Sequence, residues 1–110
     1  MGAVHNILDP RPYATSRLPA MEAETLPPWC YTARDFYELE VERIFRRVWN
    51  FIGRADHIPN PGDYFTLDLV GVPIIVVRDR AGGLRAFANS CRHRGTVLVT
   101  GEGHCTAFKC

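Results

Sequence analysis

Two cysteines and a histidine have the types and spacing to hold a transition metal. Cys91 and His93 stand two apart in Cys91-Arg92-His93-Arg94-Gly95, and sixteen residues separate His93 from Cys110. Thiolate sulfur and imidazole nitrogen are the donors that zinc and iron–sulfur centres take from proteins. Two donors so close in sequence reach one centre only if the loop between them curls, and Gly95 gives the backbone that freedom. A C-x-H pair, a spacer and a further cysteine form three terms of a four-ligand pattern. Its fourth term would be a histidine three positions past Cys110, so the chain is expected to be one part of a longer protein.

The other cysteines and histidines offer a rival set. Cys91, His93, Cys105 and Cys110 would make a tetrahedral zinc site. Zinc loops, however, pair their cysteines as C-x2-4-C, and here His104 sits beside a wide Cys105–Cys110 pair. Cys30 and Cys105 read more simply as small buried hydrophobes. His5, His57 and His104 read as surface residues. Arg92 and Arg94 flank the metal loop, either as solvent-facing charge or as a docking patch for an acidic partner.

Those loops need a scaffold, and the chain divides into three parts. Residues 1–30 form an arm in which Pro10, Pro12, Pro19, Pro27 and Pro28 interrupt any helix. Residues 31–50 carry one amphipathic helix from Thr32 to about Asn50. Thr32 is placed to cap it with Asp35 reaching back, and Tyr37, Val41, Ile44, Phe45 and Val48 share one face. Asp35 and Glu38 at its start and Arg43, Arg46 and Arg47 near its end suit the helix dipole, and Glu42 can pair with Arg46. Residues 51–110 switch to short strands. Asn60 to Asp63 is a turn, Tyr64 to Leu69 alternates, and Val70-Gly71 bends. Ile74 to Val77 is an apolar run long enough for a strand buried on both faces. Asp79 to Gly83 closes a hairpin, Leu84 to Ala88 leads into the Cys91 loop, and Thr106 to Lys109 is a short strand leading to Cys110. The pattern predicts a mainly β fold, a small antiparallel sandwich or barrel.

Composition removes several classes of function. A net charge of +1 gives no pull toward nucleic acid or an anionic membrane, and no apolar run is long enough to span a bilayer. The first eighteen residues lack an apolar signal core, so a reducing, cytoplasmic location is expected and disulfides are not.

Two cysteines and two histidines, one of each per loop, describe a Rieske [2Fe–2S] centre. The segment Ala86-Phe87-Ala88-Asn89-Ser90-Cys91-Arg92-His93-Arg94-Gly95 resembles the first cluster loop of Rieske non-haem iron oxygenases, and Phe108-Lys109-Cys110 resembles the approach to the second. The helix, the turn Pro61-Gly62-Asp63-Tyr64 and the strand Ile74 to Arg78 are similar to the N-terminal part of an oxygenase alpha subunit. The resemblance covers roughly Tyr31 to Cys110. It implies a Rieske-type β domain in which Cys91 and Cys110 bind one iron and His93 the other. It also implies a mononuclear Fe(II) in a C-terminal domain, a ferredoxin or flavin reductase as electron donor, and a homo-trimer or alpha/beta hetero-oligomer. The reaction would be mono- or dioxygenation of an aromatic or other small organic molecule, and residues 1–110 alone would lack that activity. High-potential Rieske proteins carry a further cysteine after the glycine of the first loop. Thr96 stands there in this chain, which resembles the oxygenase branch. A stand-alone Rieske ferredoxin shares the ligand pattern but would begin its sheet near its N-terminus.

Overall fold

The structure is a computed structural model that describes residues 5–109. The chain divides into two compact units, Met1–Asn50 and Phe51–Cys110.

In the first unit the arm is tied down rather than merely extended. Prolines favour tight turns, and short 3₁₀ turns form at Arg11–Tyr13 and Thr15–Arg17. The Tyr13 hydroxyl donates to the Ile7 carbonyl at 2.7 Å, and the Glu24 amide donates to the Thr15 carbonyl. Trp29 gathers three rings: His5 stacked at 4.3 Å, Phe36 edge-on at 5.8 Å and Tyr13 tilted at 6.1 Å.

The single helix expected from Thr32 to Asn50 is broken. A short α1 spans Trp29–Thr32 and α2 spans Arg34–Glu40, with Ala33 extended between them (φ −77°, ψ 131°). Thr32 therefore ends a helix instead of capping one. Asp35 does not reach back to it; its carboxylate accepts the His5 and Phe36 amides. A π-helical turn follows at Val41–Phe45, with the Arg46 amide bonded to the Val41 carbonyl. One extra residue in a turn rotates everything after it around the axis. Of the predicted stripe Val41 is buried, while Tyr37, ahead of the π turn, and Ile44 and Val48, within and after it, are each about half exposed. The i,i+4 ion pair on this helix joins Arg34 and Glu38.

The second unit is a four-stranded antiparallel sheet of β1 (Asp63–Leu69), β2 (Val72–Arg78), β3 (Leu84–Ala88) and β4 (Glu102–His104), in the order β3-β2-β1-β4. The mainly β class and antiparallel pairing agree with the sequence, and the described strands make one open sheet. β1 and β2 join through Val70-Gly71 and pair from Tyr64↔Val77 to Leu69↔Val72. Val70 sits at φ 46°, an unusual value for a β-branched residue, and the Asp68 carboxylate accepts the Gly71 amide at 2.7 Å. β2 and β3 pair from Ile74↔Ala88 to Arg78↔Leu84. Ile75 and Val76 point to opposite faces and are 1% and 6% exposed, so the centre of β2 is covered on both sides, as its apolar run predicted. Ile58 completes this core at 2% exposure. Arg78 donates to the carbonyls of Ile58, Ala55 and Gly82, fastening the flanking turns to the end of β2.

The strand expected at Thr106 to Lys109 lies instead at Glu102–His104, paired to Asp63–Phe65. Phe108 is held by a ring contact rather than a ladder, edge-on to Tyr64 at 5.2 Å. Among the described residues no helix is long and apolar enough to cross a membrane.

Candidate metal centre

β3 and β4 lie at opposite edges of the sheet, so the segment joining them must cross the end of β2 and β1. That crossing carries Cys91 and His93. The Asn89 amide donates to the Pro73 carbonyl at 2.9 Å, extending the β2–β3 ladder by one bond. The chain then curls. The Gly95 amide donates to the Cys91 carbonyl (2.8 Å), the Cys91 amide to the Thr96 carbonyl (2.7 Å), and Gly95 takes φ 69°. This is the curl its glycine was expected to allow.

Within the curl the Cys91 sulfur lies 3.4 Å from the His93 Nδ1 and 3.4 Å from the His93 amide nitrogen. The His93 amide thus points its N–H at the sulfur that the sequence offers as a metal donor. Both side chains open on a cavity of about 600 Å³ whose wall includes Thr96, Leu98 and Lys109. Lys109 precedes Cys110, so the approach to the second loop borders the same space. Cys110 itself lies outside the described residues. Arg92 and Arg94 are exposed.

The remaining candidates are placed elsewhere. Cys105 lines a separate cavity of about 280 Å³ with Gly62, Arg78 and Phe108, and its amide donates to the Gly62 carbonyl. His5, His57 and His104 each face a carboxylate, that of Asp35, Glu102 and Asp63 respectively. The Asp63 carboxyl is held below its ordinary value of 3.8, first by the Asn60 amide and then by His104. Among the described residues no three His, Cys, Asp or Glu side chains converge as a metal site, so Cys91 and His93 form an incomplete set without Cys110. A sulfur and a ring nitrogen side by side on one loop fit a centre that draws one of each from every loop.

One residue of this site carried no individual signal in the sequence. Asn89, 3% exposed, bonds through its side chain to Leu98 and Val99 on the far limb of the loop. A polar residue ending an apolar strand just before a ligand loop was the available cue.

The family model for the Rieske [2Fe–2S] domain matches residues 48–110. Benzene 1,2-dioxygenase subunit alpha of Pseudomonas putida is 41% identical over 90 residues, covering 81% of this chain and 20% of that protein. Chloroplastic choline monooxygenase of Spinacia oleracea is 40% identical over 94 residues, covering 86% and 21%. The crystal structure of naphthalene 1,2-dioxygenase from Rhodococcus sp. bound to indole superposes with a TM-score of 0.72 at 33% identity, covering 78% of this chain and 20% of that one. The chain thus spans about a fifth of the length of the curated relatives it matches.

Proposed function

Since the chain belongs to the Rieske [2Fe–2S] domain family, we propose that it is the electron-transfer part of a ring-hydroxylating oxygenase alpha subunit. Cys91 and Cys110 hold one iron through sulfur, and His93 holds the other through a ring nitrogen. A second imidazole comes from sequence beyond Cys110. The observation that carries this reading is the approach of the Cys91 sulfur to the His93 Nδ1 at 3.4 Å, on a curled loop facing a cavity that Lys109 also borders. When bound, such a cluster supplies one-electron transfer at a potential above that of an all-cysteine plant-type centre, because neutral imidazoles replace thiolates. The chain's own residues do the presenting. The Cys91–Thr96 and Gly95–Cys91 backbone bonds keep the loop closed, and the His93 amide orients the Cys91 sulfur. Exposed Arg92 and Arg94 suit docking of an acidic electron donor, a ferredoxin or a flavin reductase.

In this reading residues 1–30 are an arm, 31–50 a helical connector and 51–110 the cluster domain. The whole protein passes electrons on to a mononuclear non-haem iron that activates O2, and it assembles as a homo-trimer or an alpha/beta hetero-oligomer. Similarity to a dioxygenase alpha subunit and to a monooxygenase supports the oxygenase reading, and the alpha-subunit relative supports an oligomer. A cytoplasmic, reducing location suits a domain whose cysteines serve as thiolates.

The test is to produce the full-length gene product with iron and sulfide supplied. The wild type should show a Rieske absorption and paramagnetic spectrum with two irons and two sulfides per domain. Cys91→Ala and Cys110→Ala should each abolish the colour, the sulfide and the two cluster irons. A colourless wild-type protein carrying one zinc would overturn the reading.

A further inference from the structure

We infer that Asn89 is a positioning residue: its carboxamide fixes the width of the cluster loop so that the Cys91 sulfur and the His93 ring nitrogen are presented together. This rests on the functional reading above. Asn89 is the one polar or charged residue buried among the described residues. Its Nδ2 donates to the Val99 carbonyl at 2.7 Å, while its Oδ1 accepts the Leu98 amide at 3.0 Å and the Val99 amide at 3.2 Å. Its own amide is tied to Pro73 on β2. The side chain therefore links the departing limb, two residues before Cys91, to the returning limb at Leu98 and Val99.

The bonding permits only one orientation. Flipping the amide would set its NH₂ against two N–H donors and its oxygen against a carbonyl. The limbs cannot slip past each other by one residue without stranding backbone groups that need partners. An apolar side chain of similar volume would fill the space but would not fix the separation. The Cys91–Thr96 cross-bond, the Gly95 turn and the Cys91–His93 contacts all lie nearer the tip of the loop, while Asn89 bridges its base. Leu98 also lines the cavity that Cys91 and His93 face. The width Asn89 sets at the base is thus the width of the space in which the cluster sits.

The experiment compares full-length, cluster-loaded wild type with Asn89→Ala, Asn89→Asp and Asp68→Ala. Asp68→Ala controls for general loss of stability, because its carboxylate serves only the β1–β2 turn. Release of cluster iron to a chelator, followed as loss of the cluster's visible absorption, is timed well below the melting temperature, and the paramagnetic spectrum of the reduced cluster is recorded. Asn89→Ala should release iron about tenfold faster or more and shift the principal g-values, while Asp68→Ala should lower Tm and leave both unchanged. Asn89→Asp keeps the two acceptor bonds and loses the donor. It should also release iron faster than wild type, and it carries the test if Asn89→Ala does not fold. Wild-type iron release and g-values in the Asn89 variants, with only Tm lowered, would overturn the positioning role. A wild type lacking the reduced-cluster signal would overturn the functional reading, and this inference with it.

Discussion

Histidine 93 faces a thiol, whereas the other three histidines face carboxylates. The distinction matters because an imidazole beside a carboxylate already has a local hydrogen-bonding partner, while His93 stands beside a second type of metal donor. The carboxylate partners also make a prediction. Asp63 accepts the Asn60 amide at 2.9 Å and faces the His104 Nδ1 at 3.0 Å, so folding favours its ionised form and its pKa lies below 3.8. A group whose folded pKa is lowered adds stability above its ordinary pKa and loses it as pH falls through the folded value. Asp63→Asn should therefore show a shallower fall in Tm between about pH 5 and pH 2 than the wild type. Melting curves followed by circular dichroism would check it, and parallel falls would mean that the pair contributes nothing.

Elements reach the site through one tight passage. Gly62 ends the turn before β1 at φ 92°, donates to the Arg78 carbonyl and accepts the Cys105 amide. A Cβ there would stand 2.7 Å from the Cys105 carbonyl oxygen and 2.8 Å from the His104 ring. Gly62→Ala would both strain the backbone and push away the chain leaving β4, on its way to Cys110. A loss of about 2 kcal/mol is expected, read as a Tm lower by roughly 8 °C or more. An unchanged Tm would show that β4 is not held at this point. The helix teaches a different lesson at the same scale. Its apolar spacing was legible in Tyr37, Val41, Ile44 and Val48, but Val41 alone of these is buried, and the π turn at Val41–Phe45 breaks the helical register for the residues that follow it. A capping pattern at Thr32 and Asp35 lost to His5, thirty residues before Asp35, because that amide offers Asp35 a bond at 3.0 Å.

Across the whole molecule the two units meet in sequence at an exposed aromatic pair. Trp49 is fully exposed and Phe51 nearly so, in backbone without helix or strand. Brief chymotrypsin treatment should cut first after Trp49 or Phe51, since unprotected irregular backbone opens at least cost. Mass spectrometry of the first fragments would check this, and an initial cut within β1 or β2 would contradict it. The net charge of +1 gives residues 1–110 no strong global field.

The sequence by itself singled out Cys91, His93 and Cys110 as candidate donors, and it determined the turn at Gly95 and the alternation and apolar run of β1 and β2. These are properties of neighbouring residues, carried by side-chain chemistry, glycine freedom and a period of two. Tertiary structure decided what depends on partners distant in the chain. It placed β4 at Glu102–His104, where Asp63–Phe65 offers a ladder, and left Phe108 to pack on the Tyr64 ring. It separated Cys105 from Cys91 by giving it to Gly62, and it turned Asn89 from one letter of a motif into the brace of the loop. Hydrogen bonds formed across nine to more than forty residues of chain leave no periodic trace, so only the folded molecule assigns them.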